Sequence, residues 1–217
     1  NRAVDSWALG AKLLPALGLD PAASFAERSA GLAELGEGSE AGERRRAALR
    51  EVLDEESYIF EAHGVEMNQV YRSSAVVDDG AELVYDRDPQ LFIQPSSHPG
   101  ARLPHAWVGD ATRTVSTLDL VAQERFTLLV RDRGRAWVDA AAVVGRELGI
   151  DLEPVSIGLR GDAQDLYGDF ARRSGIGEGG CLLVRPDQHI ALRCVDAADD
   201  AEAVLRGALA RILDRGV

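Results

Sequence analysis

His105, Ser116 and Asp119 are, by residue type, the base, nucleophile and carboxylate of a hydrolytic triad. A working triad needs its serine on a sharp turn, with the hydroxyl pushed out toward the imidazole. Ser116 instead lies in Ser-Thr-Leu-Asp-Leu, which alternates like a strand and offers no such turn. The expected roles are therefore structural. His105, beside Pro104, is read as a hydrogen-bonded histidine, and Asp119 as a strand-face carboxylate paired with Arg102 or Arg125. Cys181, His189 and Cys194 supply three metal ligands at most, with the histidine at a turn, so no metal site is expected.

A second constellation mimics a nucleotide motif. Gly175, Gly177 and Gly180 spell G-x-G-x-x-G. A phosphate-binding turn requires a strand before the glycines and a helix N-terminus after them, so that N–H groups and the helix dipole face the pyrophosphate. Here a polar, helix-like stretch precedes and the strand Cys-Leu-Leu-Val follows. The order is reversed, and the glycines read as a flexible helix-to-strand loop.

The elements that must position these residues differ between the two halves. Residues 1–18 form an amphipathic helix candidate with Pro15 near its end. Residues 19–42, rich in Ala, Gly, Ser and Glu, show no sustained period and read as a mobile excursion. From Glu43 the apolar residues Leu49, Val52, Leu53, Ile59 and Phe60 recur at helical spacing, with Gly64 as the stop. Arg44, Arg45 and Arg46 on its first turns read as a solvated face. An extended stretch follows, with a turn at Asp78-Asp79-Gly80. Residues 103–108 and 114–120 read as strands flanking a Gly109-Asp110 turn. Beyond them come a strand at Phe126–Val130, a helix at Arg135–Leu148 stopped by Gly149, a strand at 152–157 and a weaker helix at 162–173. Residues 181–185 and 190–195 pair antiparallel around Pro186-Asp187-Gln188-His189, and a terminal helix carries Ala201, Val204, Leu205, Ala208, Leu209 and Ile212 on one stripe. Centring that hairpin between Asp187 and Gln188 sets Cys181 across from Cys194 and Leu183 across from Leu192. The two thiols are then neighbours, expected reduced, and Gln188 must enter the left-handed region unless the loop opens to four residues.

Several of these residues, taken together, resemble a known family. Gly100, Arg102, Pro104, His105 and Trp107, then Ser116 to Leu120, then Phe126, Leu128 and Leu129 stand in the order G-x-R-x-P-H-x-W, S-T-L-D-L, F-x-L-L. With the segment from Cys181 to Arg193, this is similar to the C-terminal region of FAD-dependent aromatic hydroxylases, the phenol and 2,4-dichlorophenol monooxygenases and their polyketide-modifying relatives. The resemblance implies an α/β fold: residues 1–95 as the mostly helical tail of the flavin/substrate domain, and residues 96–217 as a thioredoxin-like domain of order βαβαββα. A redox-active thioredoxin carries Cys-x-x-Cys at the start of its first helix. Arg133-Gly134-Arg135-Ala136-Trp137 stands there, so the domain is read as redox-inactive.

The resemblance further implies a parent enzyme that uses FAD, NAD(P)H and O₂ to hydroxylate a phenolic small molecule. In that parent this segment contributes no catalytic or cofactor-binding residue, holds no cofactor alone, and packs on its own N-terminal flavin domain or in a homodimer. Met67, Asn68 and Tyr71, on a segment returning toward the flavin domain, are the candidates for proximity to substrate. Arg102, His105 and Asp119 are the candidates for structural or interdomain roles. Two other classes compete: a free-standing redox-inactive thioredoxin-like interaction module, and an intact small-molecule-binding protein. Sequence upstream of Asn1 separates the first pair, and flavin colour tests the last.

Composition narrows the partners. The formal charge is −12 and Lys12 is the sole lysine, which argues against nucleic acid and anionic membrane as partners, since both demand concentrated positive charge. No apolar run approaches the roughly 20 residues that span a bilayer. Two cysteines form no disulfide framework, and a reducing, cytoplasmic setting is expected.

Overall fold

The computed structural model describes residues 2–110 and 112–215, so Asn1 of the first expected helix lies outside the described residues. The chain divides into two compact units: residues 1–63 with 90–92, and residues 64–89 with 93–217.

The first unit is helical, with α1 (Arg2–Ala16), α2 (Phe25–Glu34) and α3 (Glu40–Phe60). Helix α2 replaces the irregular excursion expected for residues 19–42. Its cause is local: the Ser24 hydroxyl accepts from the Glu27 N–H while the Glu27 carboxylate accepts from the Ser24 N–H, a reciprocal capping box. Gly31 then lets α2 touch the turn after α1, because a Cβ on it would lie 2.8 Å from the Gly18 carbonyl oxygen. Helix α3 begins at the Ser39 cap and ends at Phe60. The stop expected at Gly64 is thus four residues late, and Gly64 instead lies within a short helix, α4 (His63–Met67).

The second unit holds two sheets. A three-stranded sheet has the order β2-β1-β5, from β1 (Trp107–Gly109), β2 (Thr114–Ser116) and β5 (Gln164–Asp165). A four-stranded sheet has the order β4-β3-β6-β7, from β3 (Phe126–Val130), β4 (Leu152–Ser156), β6 (Cys181–Val184) and β7 (Ile190–Cys194). Strands β3 and β4 are parallel, joined by α5 (Arg135–Leu148), and the other pairs are antiparallel. Helix α5 matches its expected span, closed by Gly149 in the left-handed conformation at φ 62°. Pro154 is tolerated because β4 is an edge strand.

Strands β3 and β6 are buried on both faces, which explains their unbroken apolar runs. Leu128, Val130, Cys181 and Leu183 point toward α5 and α7 (Ala201–Ile212), packing with Trp137, Val144, Leu205 and Leu209. Leu129, Leu182 and Val184 face the other way, toward Leu103, Val108, Ile157 and Phe170. Period-two alternation thus builds two cores on one sheet.

Two further expectations are corrected. Residues 103–106 are not in a strand, and Thr117–Leu120 is a 3₁₀ turn rather than a continuation of β2, because Ser116 caps it with Asp119 completing the box. The single helix expected at 162–173 divides into β5 and α6 (Asp169–Arg173). Gly168 at φ 69° breaks the path, and the Asp165 carboxylate accepts from the Phe170 and Ala171 N–H groups to start α6.

Candidate functional site

The segment 98–103 is the scaffold on which the candidate residues meet. It runs antiparallel to the hairpin turn: the Gly100 N–H donates to the Ile190 carbonyl at 2.7 Å, Ile190 N–H returns to Ala101 at 2.9 Å, and Leu103 N–H reaches Gln188 at 2.8 Å. On its other side Val70 bridges Ala101, and the Tyr71 N–H donates to the Gly100 carbonyl at 2.9 Å. Gly100 has φ 90°, and a Cβ there would sit 2.1 Å from the Tyr71 carbonyl oxygen. Only glycine permits that approach.

This scaffold opens a cleft of about 140 Å³ whose walls include Met67, Val70, Ile93, Leu103, Pro104 and Leu118. Asn68 shapes one wall: its amide nitrogen donates to the Pro89 carbonyl and its amide oxygen accepts from the Gln94 N–H, each at 2.9 Å. The Tyr85 hydroxyl, whose pKa burial pushes up, donates to the Asn68 carbonyl. Met67 and Asn68 therefore share the cleft. Tyr71 does not join it. Its ring packs edge-on against His189 at 4.6 Å and lies 6.0 Å from the Arg185 guanidinium carbon.

His105 also borders the cleft. Its Nδ1 lies 2.7 Å from the Ser116 hydroxyl, its ring stands perpendicular to Trp107 at 4.7 Å, and its carbonyl accepts from Arg173. Base and hydroxyl are thus together, but the carboxylate is not: Asp119 accepts from the Ser116 N–H at 2.8 Å, and the Ser116 hydroxyl accepts from the Leu118 N–H. Among the described residues no carboxylate is hydrogen-bonded to the imidazole as in a triad. His105 is hydrogen-bonded, as its context suggests, with the Ser116 hydroxyl as its partner. Asp119 is a correction, since it pairs with neither arginine. Arg125 binds Glu153 at 2.6 Å, and Arg102 donates to the Gln188 side-chain oxygen at 2.9 Å. The capping box consumes the carboxylate locally.

Gln188 is the residue whose role sequence reading half captured. Its φ of 66° is the strained left-handed conformation expected for a residue in a glycine position. Its amide explains why glutamine is accommodated there, holding Arg102 on one side and the Leu118 carbonyl on the other. The Arg193 guanidinium was not singled out. Its side chain and that of Asp79 are 14% and 15% exposed, they approach to 2.6 Å, and Arg193 also donates to Ser97. Burial opposes ionisation of Asp79, but the Arg193 hydrogen bond, the Ala81 N–H and the nearby positive charges outweigh it and hold the carboxyl below its ordinary range. An arginine within Ile-Ala-Leu-Arg-Cys was the available signal, because a charge on a mostly buried strand requires a partner.

The glycine motif is filled by the chain itself. Cβ atoms on Gly175, Gly177 and Gly180 would lie 2.4 Å from the Ser97 hydroxyl, 2.5 Å from the Asp196 carboxylate and 2.3 Å from the Val195 carbonyl oxygen. Helix α6 precedes these glycines and β6 follows. At the same end of the sheet, where Val130 pairs with Cys181, the Asp132 carboxylate between β3 and α5 accepts from the Leu159 and Arg160 N–H groups. No described helix is long and apolar enough to cross a membrane.

Comparison with known proteins places this architecture. Residues 96–216 match the family described as aromatic-ring hydroxylase, C-terminal. A phenol 2-monooxygenase of Pseudomonas sp. (strain EST1001) is 46% identical over 194 residues, which cover 89% of this chain and 32% of that protein. A 2,4-dichlorophenol 6-monooxygenase of Delftia acidovorans is 44% identical over 93% of the chain and 34% of its own length. The crystal structure of the flavin-dependent monooxygenase PieE, in complex with FAD and substrate, superimposes with a TM-score of 0.89 at 37% identity, over 99% of this chain and 37% of that one. The chain spans about a third of the length of the curated relatives it matches. With the family's C-terminal region matched over more than half of its residues, and this mixed α/β fold shared with a flavin monooxygenase, the chain belongs to the aromatic-ring hydroxylases.

Proposed function

We propose that this chain is the C-terminal part of an FAD-dependent monooxygenase that hydroxylates a phenolic ring using NAD(P)H and O₂. The observation that carries the reading is the likeness along nearly its whole length to PieE, a structure that holds FAD and substrate. Relatives named for phenol and 2,4-dichlorophenol support a phenolic substrate.

The residues of this chain do not fit the flavin's pyrophosphate. The three glycines that could imitate its cradle are closed by Ser97, Asp196 and Val195, and a strand rather than a helix N-terminus follows them. No flavin contact is assigned here. The chain's part is architectural: residues 1–95 belong to the tail of the flavin/substrate domain, and residues 96–217 form a thioredoxin-like domain. The sheet order β4-β3-β6-β7, with its parallel β3–α5–β4 unit and the β6–β7 hairpin followed by α7, supports that fold. Arg133-Gly134-Arg135 occupies the place of a redox dithiol, with Asp132 tied to the facing loop. A domain so built braces the flavin domain or a second copy. Met67 and Asn68 line the apolar cleft and are the substrate-proximal candidates, while Tyr71 packs against His189 outside it.

The test uses the intact, flavin-loaded protein with a panel of phenols. Phenol-dependent NADH or NADPH oxidation, with one O₂ consumed per hydroxylated product, is expected. Cofactor oxidation indifferent to every phenol would overturn the reading.

A further inference from the structure

The two cysteines are neighbours in the β6–β7 ladder, and they are not equivalent. Cys181 and Cys194 are direct partners, flanked by the pairs Leu182–Arg193 and Leu183–Leu192. Both contribute to the core beneath α5 and α7, Cys181 fully buried and Cys194 partly open. Directly opposed residues of an antiparallel pair have Cα atoms about 4.5 or 5.5 Å apart, depending on the hydrogen-bonding position. Either spacing lies inside the roughly 4.4–6.8 Å window of a disulfide. Both are free thiols in the structure.

We propose that this pair is an oxidation site at which Cys194 reacts with hydrogen peroxide and Cys181 resolves the product as a reversible cross-strand disulfide. The asymmetry of the environment assigns the roles. Burial pushes the Cys181 thiol far up, and its hydrogen bond to Cys194 adds to this, so Cys181 stays protonated. The same hydrogen bond lowers Cys194, against burial and the Asp79 charge, so Cys194, the less buried sulfur of the two, is the one that becomes thiolate. Attack of the Cys194 thiolate on peroxide forms an S–O bond, breaks the O–O bond and releases hydroxide. Cys181 sulfur then displaces the sulfenic oxygen, the S–S bond forms, and the Cys181 proton leaves with that oxygen as water. Hydroxide takes up the proton first lost from Cys194, so two thiols and one peroxide yield one disulfide and two waters. In a reducing compartment the bond is transient, re-opened by thiol exchange.

Tryptic mapping of the intact protein reads the outcome directly. Cleavage after Arg193 separates the two cysteines, with Cys181 on residues 174–193, left whole because Pro186 protects the bond after Arg185, and Cys194 on residues 194–206. Near-stoichiometric peroxide on the folded protein is expected to join these peptides, with loss of two hydrogens and full recovery of both thiols in dithiothreitol. With Cys181→Ser, the sulfenic acid on Cys194 should persist and be trapped by dimedone. With Cys194→Ser, Cys181 should stay a thiol. Wild-type protein that keeps both thiols, or goes to sulfinic acid on Cys194 with no joined peptide, would overturn the proposal without reference to either variant. None of these readouts depends on hydroxylase activity.

Discussion

Gln188 offers a test in which two opposing contributions are separable. Its φ of 66° puts an L side chain in the left-handed region, which costs about 1 kcal/mol relative to glycine. Its amide accepts from Arg102 at 2.9 Å and donates to the Leu118 carbonyl at 3.1 Å, each bond contributing about 1 kcal/mol net. Gln188→Gly relieves the strain and loses both bonds, for a net destabilisation of about 1 kcal/mol. Gln188→Ala keeps the strain and loses the bonds, for about 2 kcal/mol. The stability order is therefore glutamine, glycine, alanine, and the gap between the two variants isolates the backbone strain. Native-state hydrogen exchange at the Leu183 and Leu192 amides reports opening of this sheet without assuming that both compact units unfold together. A glycine variant more stable than the wild type would show that the amide bonds contribute less than the strain costs, and would refute the account of why glutamine stands at this turn.

Gly100→Ala should destabilise the second unit by about 3 kcal/mol, since it adds left-handed strain and drives a Cβ against the Tyr71 carbonyl oxygen, breaking the bond that anchors Tyr71; unchanged urea unfolding would contradict the close approach. The Asp79–Arg193 pair predicts an acid-side effect. The Asp79 carboxyl is held below its ordinary range in the folded state, so its contribution is complete above the unfolded pKa of about 3.9 and is lost as pH falls through the lower folded value. Asp79→Asn should therefore lower stability at neutral pH by roughly 2 kcal/mol and flatten the decline below pH of about 4, whereas a variant with the same acid slope as wild type would deny the linkage.

What was legible in the sequence, and what was not, follows the range of the interactions that decide each element. Strand β3, helix α5 and the β6–β7 register emerge from apolar periodicity because burial decides them. Leu128 and Leu129 alternate between two cores, and Trp137, Ala140, Ala141 and Val144 form one buried stripe. The Cys181–Cys194 and Leu183–Leu192 pairings match the expected turn centre, although the register shifts by one beside the loop, where Val184 faces Ile190. The candidate cleft was only half visible. Met67 and Asn68 share it, but Tyr71 is drawn to His189 by an aromatic contact 118 positions away in the chain, which no local pattern encodes.

The misread elements have one physical cause. Helix α2 begins where Ser24 and Glu27 satisfy each other's N–H groups, the 3₁₀ turn after β2 begins where Ser116 and Asp119 do the same, and α6 begins where Asp165 takes two N–H groups. In each case a short polar side chain decides the backbone path over a stretch where apolar periodicity is weak. The signals were present as Ser24-Phe-Ala-Glu27 and Ser116-Thr-Leu-Asp119, both of capping-box spacing. The second of these bears on function. The residues that could pass for a hydrolytic nucleophile and its carboxylate are the two members of a cap, and the contact between His105 and Ser116 fastens that cap to the cleft wall. A serine, a histidine and an aspartate within 15 residues are thus accounted for by the geometry of a turn, in which the hydroxyl and the carboxylate cap backbone N–H groups.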